Sequence, residues 1–333
     1  MTVFDTGMTR RQHLAMLGGS ALAAALARPA LAQAAATIRQ GYQTNIWGMP
    51  TYYLLQSGAL QKQGIKFEEF AVPSGNLTMQ QMVARQVDLG TYAGQSFILG
   101  ADRGDLVAVA QIEQVGKTVR VMARKDLNIK TVADLRGKKV ANQTGSSIST
   151  VFTDKIAPGA GLKKGDYQEI RMNVNDMVAA LAAKTVDAMV NVEPYNAIAE
   201  ADGIATTIMD YWEVDPMPVL MAATPDFVDK NPDVLVNYLK AWLDVGRDFK
   251  ESPDKVADVI YAFYTDKGYS MSKDAFRQAL AKVEVNVGFP PDLKSYLQKE
   301  VEGLIEAKRI KSAPDWSKAI RPEFFEKAQG KVG

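Results

Sequence analysis

Three short polar loops carry most of the chemistry that this chain offers. Thr144-Gly145-Ser146-Ser147 runs into the helical pattern Ile148–Ile156, so a serine cap and the first amides of a helix stand together. A helix start of this kind points N–H donors outward and favours negative charge, which suits an anion. Ser74-Gly75-Asn76 and Gly94-Gln95-Ser96 have the same make-up. In each, glycine lets a ligand approach the backbone and its neighbours donate or accept hydrogen bonds. Gln43-Thr44-Asn45 follows an extended stretch, and Trp47 stands in the same loop beside Gly48, where its ring can stack on a planar or alkyl group. Asn191 and Glu193 end another apolar run, with Pro194 suited to the first position of the next helix. Lys117 and Arg120 are the cations best placed to meet an anion. Every one of these residues also has an architectural reading: a turn glycine, a plain cap, a tryptophan closing a core, a surface lysine.

Composition narrows the chemistry. The 333 residues contain no cysteine and one histidine, His13, near the N-terminus. Disulfides, thiolate catalysis, cysteine-bound zinc and a lipid-modified cysteine are therefore excluded. Without His13 the chain lacks the commonest general base and the commonest transition-metal ligand. Serine, lysine and carboxylate catalysis remain open, but the expectation is a protein that is no enzyme and holds no metal or cofactor. Gly116-Lys117-Thr118 imitates the end of a phosphate-binding loop, yet Gln111 stands where that motif needs glycine. Asp226, Asp229 and Asp233 lack calcium-loop spacing. The 39 basic and 38 acidic residues form no basic block, so nucleic acid is not an expected partner.

Arg10-Arg11 precedes the apolar, alanine-rich run Leu14–Ala27, which Arg28-Pro29 breaks before Ala30-Leu31-Ala32. That order is expected of an export signal covering residues 1–32, cut near Ala32-Gln33, with a twin-arginine flavour and the general secretory route as alternative. The run is short for a membrane span. A periplasmic protein without a membrane anchor, monomeric, is the expectation.

From Thr37 onward, short apolar runs alternate with helical patterns, the mark of an α/β fold. The spacing predicts strands over Thr37–Tyr42, Lys66–Ala71, Val87–Thr91, Leu106–Gln111 and Thr118–Ala123, with helices over Thr51–Gln63, Leu77–Arg85 and Gln95–Asp102. A second block alternates from Thr131 to Ala201, and Pro218–Ala223 reads as a strand running back to the first. Helical patterns fill the rest from Asn231 to Ala307. The expected division is lobe 1 over residues 33–122, lobe 2 over 123–219, then a return strand and C-terminal helices of lobe 1 over 220–333. Two crossings imply a cleft, and loops at the carboxyl ends of parallel strands should line it.

Ile38–Gln43, Gly58–Gly64, Ser74-Gly75-Asn76, Val87–Tyr92 and Gly94 come in a recognisable order, followed by Val132–Val140, Thr144–Ser147, Gly161-Leu162, Val186–Ala188 and Glu193-Pro194. The series resembles the nitrate/sulfonate/taurine-binding and thiamine-pyrimidine-precursor-binding family of ABC importer solute receptors, over about residues 37–250. The resemblance implies a two-lobed periplasmic-binding-protein fold of the second topological type. It also implies a small-molecule ligand, an inner-membrane permease as partner, and no catalysis. A small organic anion, sulfonate or carboxylate, is the expected ligand; a neutral pyrimidine precursor and a sensor role are the alternatives.

Overall fold

The computed structural model describes residues 36–143, 145–269 and 271–331; the expected export signal lies outside them. The chain opens a first sheet with β1 (Ala36–Gln43), β2 (Ile65–Val72), β3 (Leu89–Ala93) and β4 (Val107–Gln114). It crosses to a second sheet built from β5 (Val119–Arg124), β6 (Lys139–Asn142), β7 (Gln168–Arg171), β8 (Ala188–Val192) and β9 (Ala205–Asp210). It then returns as β10 (Pro218–Ala223) and ends the first sheet with β11 (Glu284–Gly288). The strand orders are β11-β4-β10-β3-β1-β2 and β7-β6-β8-β5-β9. β10 is inserted antiparallel between β3 and β4, and β5 runs antiparallel to both β8 and β9, so both sheets are mixed.

Central strands are buried on both faces, as a sheet covered by helices requires. β3, β8 and β10 are buried at every residue. Helices α1 (Met49–Gln56), α2 (Gly75–Val83) and α3 (Gly94–Gly104) belong to the first sheet, α4 (Ser147–Val151) and α5 (Tyr195–Ala201) to the second. The C-terminal α6 (Pro232–Glu251), α7 (Pro253–Asp266), α8 (Lys273–Leu280) and α9 (Leu293–Glu306) complete the fold. On α6, Leu235, Tyr238, Leu239, Trp242 and Val245 recur at helical spacing and are buried on one face of the first sheet. Tyr238 Oη donates to Gln40 Oε1 of β1 at 2.6 Å, and Tyr53 Oη of α1 donates to Asp248 of α6 at 2.7 Å. On the opposite face Leu293, Leu297 and Val301 of α9 pack with Phe97 and Ile98 of α3 and with Leu220 of β10. Each such buried side chain contributes about 1.5–3 kcal/mol relative to exposure.

The α/β class is as expected, and the C-terminal helices pack on the first lobe; α8 also reaches α5 of the second. Three details differ. The expected boundary at residue 122 falls inside β5, which pairs only within the second sheet. The helix expected over Thr51–Gln63 is interrupted at Ser57-Gly58, and a short helix, Ala59–Lys62, follows. Finally, β9 and β11 were not expected. β9 is mostly half-buried and β11 is an edge strand with no fully buried residue, so neither shows the long apolar run that signals a central strand.

Glu113 near the end of β4 is fully buried, and neither carboxylate oxygen has a hydrogen-bond partner among the described residues. It pairs in register with Val219 and Val285. Burial pushes its pKa well above the ordinary carboxylate value, favouring the neutral acid. A group whose folded pKa is raised stabilises most below its unfolded pKa, and that stability is lost as pH rises toward the folded value. Urea unfolding between pH 5 and 9 should show stability declining with pH, and Glu113→Gln should flatten that decline; an unchanged slope would contradict the assignment.

Candidate functional site

Loops after β1, β2, β3 and β6 converge on one small cavity of about 10 Å³, room for about one water molecule. The first lobe supplies Gln43, Trp47, Gly75, Asn76, Ala93 and Ser96; the second supplies Gln143, Ser146, Ser147 and Ile148. None of these carries a formal charge. Three helices begin here. α2 is capped by Ser74, whose Oγ accepts from Leu77 N, and α4 by Ser146, whose Oγ accepts from Ser149 N. α3 begins at Gly94 with no side-chain cap. Three positive dipole ends thus face one uncharged space, each favourable to an anion by about 0.3–2 kcal/mol.

Gln43 is 2 % exposed, and its orientation is fixed: Oε1 accepts from Gly75 N at 3.0 Å and from Asn45 Nδ2 at 3.4 Å. Its Nε2 has no hydrogen-bond partner among the described residues. A buried orphan donor costs about 1–3 kcal/mol, a cost that a ligand acceptor removes. Gly75 lets the start of α2 pack close against β3, because a Cβ there would lie 2.6 Å from Tyr92 Cβ. Trp47 forms part of the wall, with its Nε1 donating to Thr118 Oγ1 at 2.7 Å in the first crossing. Ser96 Oγ and Ser147 Oγ stand 3.3 Å apart across the cleft, so the two lobes are in contact at the cavity.

A model of the NMT1/THI5-like family matches residues 45–256. The chain belongs to this family. Among its relatives is a provisionally named binding protein of Brucella abortus, 28% identical over 235 residues, which are 68% of this chain and 71% of that one. An Escherichia coli protein, provisionally named as aliphatic sulfonates-binding, is 30% identical over 198 residues, 58% of this chain and 61% of its own. In fold, the chain matches the alkanesulfonate-binding protein of Xanthomonas axonopodis, solved with MOPS, at a TM-score of 0.74 and 18% identity. That match covers 86% of this chain and 98% of that one.

In this family member, several residues singled out from sequence stand away from the cavity. Lys117 pairs with Glu284 and lies 4.5 Å over the Trp212 ring. It does not line the cavity, because both of its neighbours hold it on the partly exposed side of the crossing. Arg120 is tied to Glu200 and Asp210. Glu193 is fully buried, accepts from Ala197 N of α5 at 3.0 Å and pairs with Lys282 and, at 3.9 Å, with Arg120. Its use is as a helix cap and ion-pair partner. Asn191 donates to Val174 O and accepts from Val192 N. Gln95 is turned to Glu300 of α9, and Gly94 packs near Leu297 and Tyr296. Thr44 is bonded through its N–H to Val72 O, and Asn45 Oδ1 accepts from Trp47 N. Gly145 borders a different cavity, beside Arg309 and Tyr167. Thr144 lies outside the described residues.

Gln143, Ile148 and Ala93 line the cavity without having been singled out. For Gln143 a signal existed, since it follows the end of β6 just as Gln43 ends β1. Two glutamines at corresponding places in two lobes are weak as a motif but meaningful as a pair. Replacing Trp47 by Phe keeps the ring and removes the bond to Thr118. It should cost about 1 kcal/mol in urea unfolding; no loss would mean that the bond contributes nothing.

Proposed function

We propose that this protein is an extracytoplasmic receptor that closes two lobes around a small organic anion and presents it to an ABC importer. The observation that carries this reading is the cavity itself, which is shared by both lobes, uncharged and faced by three helix starts. Sulfonates and carboxylates are strong acceptors with delocalised charge, and neutral N–H and O–H donors fixed in place can receive them without a full countercharge. At this volume the closed space admits about one water, so the lobes must part to take an organic ligand, to which Trp47 and Ile148 offer an apolar wall. The names of the Escherichia coli relative and the Xanthomonas neighbour support a sulfonate. A Brachyspira hyodysenteriae relative, 24% identical and named as an ABC transporter periplasmic binding protein, supports the transport role. Export by the N-terminal segment, cut near Ala32, belongs to the same proposal. So does the absence of catalysis, since no cysteine and no histidine beyond His13 is available as nucleophile or base.

Calorimetry with taurine, methanesulfonate, short alkanesulfonates, benzoate, nitrate and an aminopyrimidine tests the reading directly. Sulfonate binding accompanied by a smaller radius of gyration in solution scattering is the expected result. Exclusive binding of the aminopyrimidine would replace the anion by a neutral ring, and no binding at all would remove the receptor reading. Ser147→Ala and Gln43→Leu should each weaken binding by about tenfold, the usual effect of one lost hydrogen bond to a charged group.

A further inference from the structure

Beside the cavity, and not lining it, one lysine joins three parts of the molecule. The helix that begins at Ser147 loosens into a wider turn over Phe152–Ile156, and Lys155 lies within that turn. A widened turn inside a helix re-aims the side chains on it, and such turns occur often at functional sites. Lys155 Nζ donates to Asp215 Oδ2 at 2.7 Å and to Glu300 Oε1. Asp215 lies in the second crossing, fully buried, and its Oδ1 accepts from Tyr296 Oη and Met217 N, each at 2.8 Å. Glu300 is 4 % exposed on α9 of the first lobe, and its second oxygen accepts from Gln95 Nε2. Gln95 neighbours Ser96, the residue that meets Ser147 across the cleft.

We infer that Lys155 is a closure latch: an ammonium carried by the second lobe that neutralises a carboxylate of the crossing and a carboxylate of the first lobe only when the cleft is shut. The chemistry is directional. Two carboxylates already fixed by Tyr296, Met217 and Gln95 await one cation, and swinging the lobes apart withdraws it. Burial alone would lower the pKa of Lys155, but the charges of Asp215 and Glu300 override it, and the pKa is held above its ordinary value. Lys155 is a positioning residue: it sets how long the lobes stay closed and, through Glu300 and Gln95, where the start of α3 lies. It makes no contact with the cavity. The latch rests on the two-lobed receptor reading for its purpose, but its existence can be tested without any ligand.

The absence of native cysteine provides the reporter. Ser96→Cys with Ser147→Cys in the full chain places two thiols that meet when the cleft is closed, and a diffusible oxidant then records closure as disulfide formation. In ligand-free protein, adding Lys155→Met should slow that oxidation by about tenfold, as expected for a partly exposed ion pair joined to buried carboxylates. Lys155→Arg should restore most of the rate. Equal oxidation rates with and without the K155M change overturn the latch, even if K155M lowers Tm. Should K155M fail to fold, Glu300→Gln, which removes one charge and keeps an acceptor for Gln95, takes its place with the same expected and overturning results. In the cysteine-free chain, K155M should speed release of methanesulfonate and leave its association rate unchanged. If the native chain binds no compound while cross-linking still depends on Lys155, the receptor reading fails and the latch stands. If the native chain binds and cross-linking ignores Lys155, the latch alone fails.

Discussion

Where the two crossings touch, there is no room for a side chain. A Cβ on Gly116 would sit 2.3 Å from the carbonyl oxygen of Asp215, and Gly116 N donates to Pro216 O at 2.9 Å. This backbone contact fixes the two connecting segments as one unit at the floor of the cleft, and other features inherit their position from it. Thr118, two residues on, receives Trp47 Nε1, which sets one wall of the cavity. Asp215, in the other crossing, carries Lys155 and Tyr296. Thr118 O accepts from Glu193 N and Asn196 Nδ2, so the second lobe hangs from the same point.

Around that floor, charge and neutrality are sorted by place. The cavity presents amides, hydroxyls and helix starts, and the formal charges stand outside it in closed groups. Lys155 balances Asp215 and Glu300 on one flank, while Lys282 and Arg120 meet Glu193 on the other. An arginine in the cavity would hold an anion more tightly, but a buried, unsatisfied cation is costly whenever the site is empty. For the anion proposed above, neutral donors on helix ends would avoid that cost and permit release. The same sorting holds Lys117 and Arg120, the cations that looked best placed in sequence, in ion pairs outside the cavity.

Much of the fold was legible because its central strands are apolar on both faces and its C-terminal helices repeat at helical spacing, as in α6. The edge elements were not: β9 and β11 are short and half-buried, and their pairing depends on partners distant in sequence. For the site, local chemistry announced Ser74-Gly75-Asn76 and Ser146-Ser147, because capping and glycine turns are written within three or four residues. It did not reveal that Gln95 turns away to Glu300, 205 residues on. Nor did it reveal that Glu193 is consumed by ion pairs. Which polar side chain faces the cavity is settled by partners that only the folded chain brings near.

The return of β10 to the middle of the first sheet has a consequence for how the molecule is made. The second sheet comes from one unbroken stretch, Val119–Asp210, and contains every strand it needs. The first sheet cannot join β3 to β4 until residues 218–223 exist, and its far edge waits for residues 284–288. During vectorial synthesis the lobe begun first is therefore the lobe finished last, and until then β3 and β4 offer unpaired edges to any neighbour. A chain so arranged gains from being kept unfolded or escorted until its last third has emerged.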